Sequence, residues 1–172
     1  GLGKFPVTNR EYRIFVEAGE APAPPFWSDA VFSDPEQPVV GVNWEEATGY
    51  CAWLSRRTGK KFRLPSEAEW ERAARSKLPG ALYPWGDEPP SDRQYAGYDL
   101  KTGGPQRVGA NAPNDFGLYD MSEGVHEWCG DYYDYHYYRC SPEKNPQGPL
   151  SGDRRASRGG SCRHRVNFSR CA

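Results

Sequence analysis

The sequence has no long apolar run. Nothing in it approaches the roughly 18 residues that mark a membrane-spanning helix, and the mean hydropathy is −0.88. Neither sign of charge is in excess: 22 Lys and Arg face 23 Asp and Glu, a net charge of −1. That balance gives no electrostatic footprint for nucleic acid and no polybasic stretch for a membrane surface. The opening GLGKFPVTNREY lacks the apolar stretch of a signal peptide, so a cytoplasmic location and mostly reduced cysteines are the expectation. The five cysteines form no C-x-x-C pair, which removes the usual structural zinc spacing, and their odd number implies no complete disulfide framework. One or two disulfides stay open. Internal repeats, linkers and low-complexity tracts are also missing.

What the chain does have is turns and rings. Gly accounts for 19 and Pro for 16 of 172 residues, and aromatics make up 14%. The first two favour short elements joined by turns. The aromatics argue against disorder. A chain of this size buries roughly 70% of the surface its unfolded form exposes, enough for one cored domain over residues 1–172. Three helix starts are written as capping boxes, in which an N-cap side chain and the residue three further on satisfy each other's free N–H: Thr8 with Glu11, Asn43 with Glu46, and Ser66 with Glu69. The apolar faces that follow are Tyr12, Phe15 and Val16; Trp44, Ala47, Cys51 and Leu54; and Trp70, Ala73 and Ala74. Gly19 and Gly59 are the expected stops. Cys51 reads as a small core residue.

Between the first two helices lies a Pro-rich excursion ending in the apolar run Val39 to Val42. Residues 78–106 show no sustained period, and Tyr83, Trp85, Tyr95 and Tyr98 are the rings that would pack such a long loop against the body. Short strands are expected at 125–129 and 156–161.

The segments KFPVTNREYRIFV, QPVVGVNWEEATGYCAWLSRRTGKKFRLPSEAEWERAAR, YPWGDE, NDFGLYDMSEGVHEW and SRGGS occur in that order. Together they resemble the formylglycine-generating enzyme, or sulfatase-modifying factor, domain family. The resemblance implies an α+β fold of the C-type-lectin-like kind: a small twisted antiparallel sheet, two or three helices and much ordered loop. The family's usual opening and closing strands are missing between residues 1 and 172. Three kinds of member come with the resemblance: copper-dependent oxidases that convert a target cysteine to formylglycine, domains attached to iron-dependent sulfoxide synthases, and non-catalytic display proteins, retroelement-diversified variable proteins among them. Function has to be decided at the site.

The oxidases carry a C-x-x-x-x-C thiolate pair for copper, a soft-ligand arrangement suited to Cu(I). Here the corresponding stretch is RGGSCRHRVNFSRCA, and Cys171 stands nine positions after Cys162. The pair is not reproduced. His164 completes a C-x-H triplet that reads first as a surface or turn residue. The iron-dependent branch takes its histidines from a separate helical domain, whereas this chain has only His126, His136 and His164. The resemblance also implies a structural Ca²⁺ in the turn DMSEGVHE, with side-chain oxygens from Asp120 and Glu127 and carbonyls from Glu123 and Val125. Hard oxygens from a Gly-containing loop suit that ion. A second family calcium step, Asn before an aromatic, reads Ala96-Gly97-Tyr98 here and is not carried over.

Residues 131–140 read DYYDYHYYRC and hold five of the 11 tyrosines. Tyr and Arg are enriched at binding hot spots. As a strand, this segment would place Tyr133, Tyr135 and Tyr137 on one face. The sequence therefore points to a protein- or small-molecule-binding member of the family, neither membrane-inserted nor nucleic-acid-binding. It would use a loop-rich face with Trp85, Tyr135, Tyr137, Arg163 and Arg165, opposite the helices. The alternative is a copper-dependent oxidase acting through Cys162 and Cys171.

Overall fold

Each of the three helices begins at its capping box. In the computed structural model, which describes residues 1–88, 104–122, 124–162 and 169–171, Glu11 accepts the Thr8 N–H at 2.9 Å while the Thr8 hydroxyl accepts from Glu11 N–H at 3.3 Å. Asn43 with Glu46 and Ser66 with Glu69 close the same reciprocal pairs. The helices are α1 (Asn9–Glu17), α2 (Trp44–Thr58) and α3 (Glu67–Arg75). Gly59 caps α2 at φ 68, and Gly19 turns left-handed at φ 75 just past the Ala18 cap of α1, where a Cβ would be strained.

α1 meets α2 through rings. Tyr12, Phe15, Tyr50 and Trp53 are all buried, and the Phe15 centroid lies 5.3 Å from Tyr12, 5.5 Å from Tyr50 and 5.3 Å from Trp53. The buried face of α2 is therefore Tyr50 and Trp53, not the expected stripe through Trp44 and Cys51, which are half-buried. Two large rings win the place opposite Phe15 because they bury more area than Cys or Ala. Cys51 sits beside that core rather than in it, with burial pushing its thiol up.

The second cluster joins α3 to the sheet. Trp70, Ala73 and Ala74 pack against Met121, Cys129, Ala156 and Cys171. The sheet has two antiparallel strands, β1 (Glu127–Tyr132) and β2 (Arg155–Arg158), in register at Glu127 with Arg158 and Trp128 with Ser157, with a bulge before Tyr132 meets Arg155. Both strands lie within three residues of the stretches expected from sequence. The tyrosine-rich segment does not continue β1. After Tyr132 the chain turns into a single 3₁₀ turn, Tyr137–Arg139. The alternation of faces that a strand over residues 133–138 would give is therefore absent; Asp134 accepts the His136 N–H at 2.7 Å and starts the turn instead, a standard role for Asp.

α2 is tied to β1 by two indoles. Trp44 Nε1 donates to the Cys129 carbonyl at 2.8 Å, and Trp128 Nε1 donates to the Val42 carbonyl at 3.1 Å. The Arg155 guanidinium lies between Trp44 and Tyr132, 3.7 and 3.5 Å from the ring centroids. Among the described residues no helix is long and apolar enough to cross a membrane.

Candidate functional site

The acidic turn after residue 117 forms one candidate site. Asp120 sits at φ 58, a left-handed conformation uncommon outside Gly, Asn and Asp. Its Oδ2 accepts the Gly109 N–H at 2.7 Å. Glu127 opens β1 and its Oε2 accepts from Trp70 Nε1 at 3.2 Å, with Trp70 fully buried. Burial pushes the Glu127 carboxyl up to about 7, the Trp70 bond works against that, and the Asp120 charge adds to it. Burial also raises Asp120, opposed by the Gly109 N–H. Two acids thus share one low-dielectric corner, and among the described residues neither forms a salt bridge. A cavity of about 20 Å³ opens against Asp120 and Gly124, bordered by Pro6, Pro38 and Val108. Such a space has room for about one water-sized guest. Val125 is half-buried beside it in sequence, and Glu123 lies outside the described residues. No group of three or more His, Cys, Asp or Glu is placed for a metal among the described residues, so a cation here would need backbone carbonyls beside the two carboxylates.

The cysteines are free thiols. Cys171 is wholly enclosed in the cluster around Trp70; burial pushes its thiol up to about 11, and its N–H donates to the Leu82 carbonyl at 2.8 Å. Cys162 is buried, with its N–H on the Gly124 carbonyl at 2.9 Å. His164, Arg163 and Arg165 lie outside the described residues, as do Tyr95 and Tyr98. Trp85 is half-buried and stacks on Tyr83, with centroids 4.8 Å apart and planes 5° apart, inside a tight turn closed by Tyr83 and Gly86.

The tyrosine segment is on the surface. Tyr135 is 65% exposed, Tyr133 and Tyr138 are exposed, and Tyr137 is half-buried. It does not face away from all the helices, as expected from sequence, because the Tyr138 hydroxyl donates to the Glu67 carboxylate at 2.8 Å, in the first turn of α3. Glu67 in turn pairs with Arg158 at 2.8 Å, and Arg158 also reaches Glu71 at 3.4 Å. Sequence reasoning missed this network. Its one signal was the acidic pair Glu67 and Glu71 at i, i+4 on α3, a spacing that puts both on one face.

A helix-and-loop domain wrapped on a minimal antiparallel sheet is the C-type-lectin-like architecture of the formylglycine-generating enzyme group, and comparisons with known proteins agree. The chain aligns at a TM-score of 0.81 with the structure of PvdO from Pseudomonas aeruginosa, at 27% identity, covering 98% of this chain and 70% of that one. The sulfatase-modifying factor enzyme 1-like domain family matches residues 1–172, and the chain belongs to it. It is 40% identical over 168 residues to the serine/threonine-protein kinase pkn1 of Chlamydia pneumoniae, covering 96% of this chain and 23% of the kinase. It is 36% identical over 158 residues to the formylglycine-generating enzyme of Thermomonospora curvata, covering 81% of this chain and 49% of that enzyme. The chain thus spans less than half the length of these two relatives.

Proposed function

We propose that this domain is a ligand- or protein-binding member of the family that does not perform the oxidase reaction. The observation that supports this reading is the tyrosine segment: Tyr133, Tyr135 and Tyr138 are exposed together within six residues, whereas the other exposed rings among the described residues, Phe5, Phe26, Phe62 and Phe116, are scattered along the chain. Large, fairly rigid rings with polar tips on a fixed support are the usual material of a contact surface. Tyr137 and Trp85 are the further aromatic contacts, with Arg163 and Arg165 as cationic ones. A kinase and a formylglycine-generating enzyme both match this domain over part of their length, which suits a module used for recognition.

Oxidase chemistry asks for two thiolates on one copper ion. Cys171 is poorly suited to that role: it is 0% exposed, fills the core, and has a thiol that burial holds in its neutral form. Peptides selected from a random display library on the immobilised domain should bind Tyr135→Ala at least tenfold more weakly. Selected peptides indifferent to Tyr135, Tyr137 and Trp85 would remove the surface assignment. With Cu(I), oxygen and a sulfatase-type cysteine peptide, no formylglycine should form. Copper-dependent turnover lost in Cys162→Ser or Cys171→Ser would establish the oxidase alternative instead.

The acidic turn is proposed as a structural calcium site. Asp120 and Glu127 would supply carboxylate oxygens, and Glu123 and Val125 backbone carbonyls. Bound calcium would supply the positive charge that this corner lacks among the described residues and would cross-link the turn to β1. Because a ligand bound only by the folded state stabilises it, calcium should raise the melting temperature and chelator should lower it. Identical melting curves with both would exclude the site.

A further inference from the structure

The exposed tyrosines sit on a network that the proposed binding function does not itself explain. Tyr138 donates its hydroxyl to both oxygens of Glu67, at 2.8 and 2.9 Å. Burial first, and then this bond, push the Tyr138 phenol well up. Glu67 is held from the other side by Arg158, with side-chain exposures of only 12% and 15%. Arg158 continues inward to Glu71 and to the Cys171 carbonyl, each at 3.4 Å. Below them Asp131, 6% exposed, accepts the Glu67 backbone N–H. Gly148 presses on Asp131 so closely that a Cβ there would lie 2.7 Å from the Asp131 Cβ.

We propose that Tyr138 and Glu67 are positioning residues: they seat the 133–140 segment on α3 and leave Tyr133 and Tyr135 as its exposed contact rings. This deepens the binding reading and rests on it for its purpose. A surface segment with one 3₁₀ turn has little intrinsic rigidity. A hydroxyl shared across a carboxylate that is already ion-paired with a largely enclosed arginine is a charge-assisted bond, roughly twice as strong as a neutral one. Breaking it releases the segment without touching the strands. The phenol of Tyr138 is thereby spent on the fold, and its ring packs toward Tyr133, with centroids 6.4 Å apart.

Amide hydrogen exchange reads the seat directly and needs no ligand. The N–H groups of Tyr137, Arg139 and Cys140 close the turn onto Asp134, His136 and Tyr137 carbonyls. In Tyr138→Phe these three amides should exchange about tenfold faster, while the Gly130 amide, bonded to the Pro65 carbonyl at 2.8 Å, keeps its rate. Glu67→Ala, which removes the acceptor, should loosen the same three, and at these amides the double variant should add nothing to Glu67→Ala, because either change abolishes the same hydroxyl–carboxylate bond. Unchanged exchange in Tyr138→Phe, or additive effects in the double variant, would overturn the proposal. Faster exchange at Gly130 as well would show a general loss of stability and would equally overturn it. If the seat behaves as stated and no selected peptide depends on Tyr135, the binding reading falls while the seat stands.

Discussion

The two packed clusters of this domain are built from opposite materials. Between α1 and α2 the filling is almost entirely aromatic, and the charges stay outside: Arg57 lies over Trp53 and Arg13 over Trp27, with guanidinium-to-centroid distances of 5.3 and 4.8 Å. Between α3 and the sheet the filling is one Trp among Ala, Cys and Met, and charge reaches the edge of the core. The Cys129 thiol is shifted by Glu67, Arg158, Asp131 and Glu127, with burial the larger cause. Rings interlock and bury area cheaply. Small residues leave room for carboxylates and guanidinium groups to meet behind the strands. The helical half is scaffold, and the sheet half carries the acidic turn and the seat of the tyrosines.

The largest effect that tests this division comes from Trp70. It is fully buried and also donates to Glu127. Trp70→Ala should cost about 4 kcal/mol in urea unfolding, as for other large-to-Ala core changes, and should abolish the calcium shift in melting temperature. Phe15→Ala should cost a similar amount and leave that shift intact. Equal loss of the calcium response in both would erase the distinction between the halves.

A smaller effect comes from pH. The Glu127 carboxyl rises to about 7 in the folded state, above its unfolded value near 4.3. Between those two values the native state holds the extra proton, so stability falls as pH rises through the window and levels off above it. In chelator, the melting temperature should drop by roughly 5 °C from pH 5 to pH 7.5, and Glu127→Gln should flatten the drop. A melting temperature that climbs over this range in chelator would contradict the raised Glu127 carboxyl.

The smallest effect belongs to the helical half. The Tyr12 hydroxyl is buried with no hydrogen-bond partner among the described residues, and burial pushes its phenol up to about 12. Removing a buried polar group that has no partner is nearly neutral or stabilising. Tyr12→Phe should therefore change stability by less than about 1 kcal/mol, in the stabilising direction. A loss beyond about 2 kcal/mol in urea unfolding would mean the hydroxyl is bonded after all.

Local signals were the legible part of the sequence. All three helix starts could be read because a capping box lies within four residues, and both strands because they sit between turn clusters. The buried face of α2 was misread because Tyr50 and Trp53 bury for a tertiary reason, the presence of Phe15 across the interface. For the tyrosine run the sequence offered only the faces a strand would have, and one Asx turn at Asp134 decides for a 3₁₀ turn instead. Of the seat only the Glu67 and Glu71 spacing was legible: Tyr138, Glu67 and Arg158 are joined across 71 and more positions of chain, and pairing at that range leaves no periodic trace. Asp120 and Glu127 were placed by resemblance alone, since nothing local marks Glu127 as enclosed by Trp70.

One strand edge bears on how the domain behaves in company. A two-stranded sheet offers an open flank on which a foreign strand can add. On β1 several backbone groups are already committed elsewhere: the Cys129 carbonyl to the Trp44 indole, the Gly130 N–H to Pro65, and the Gly130 carbonyl to Arg155 at 3.0 Å. At the middle of β1 a visiting strand would have to displace an indole or a guanidinium to make its bonds. Copies crowded together therefore find fewer free ladder bonds at the middle of β1 than its length would offer.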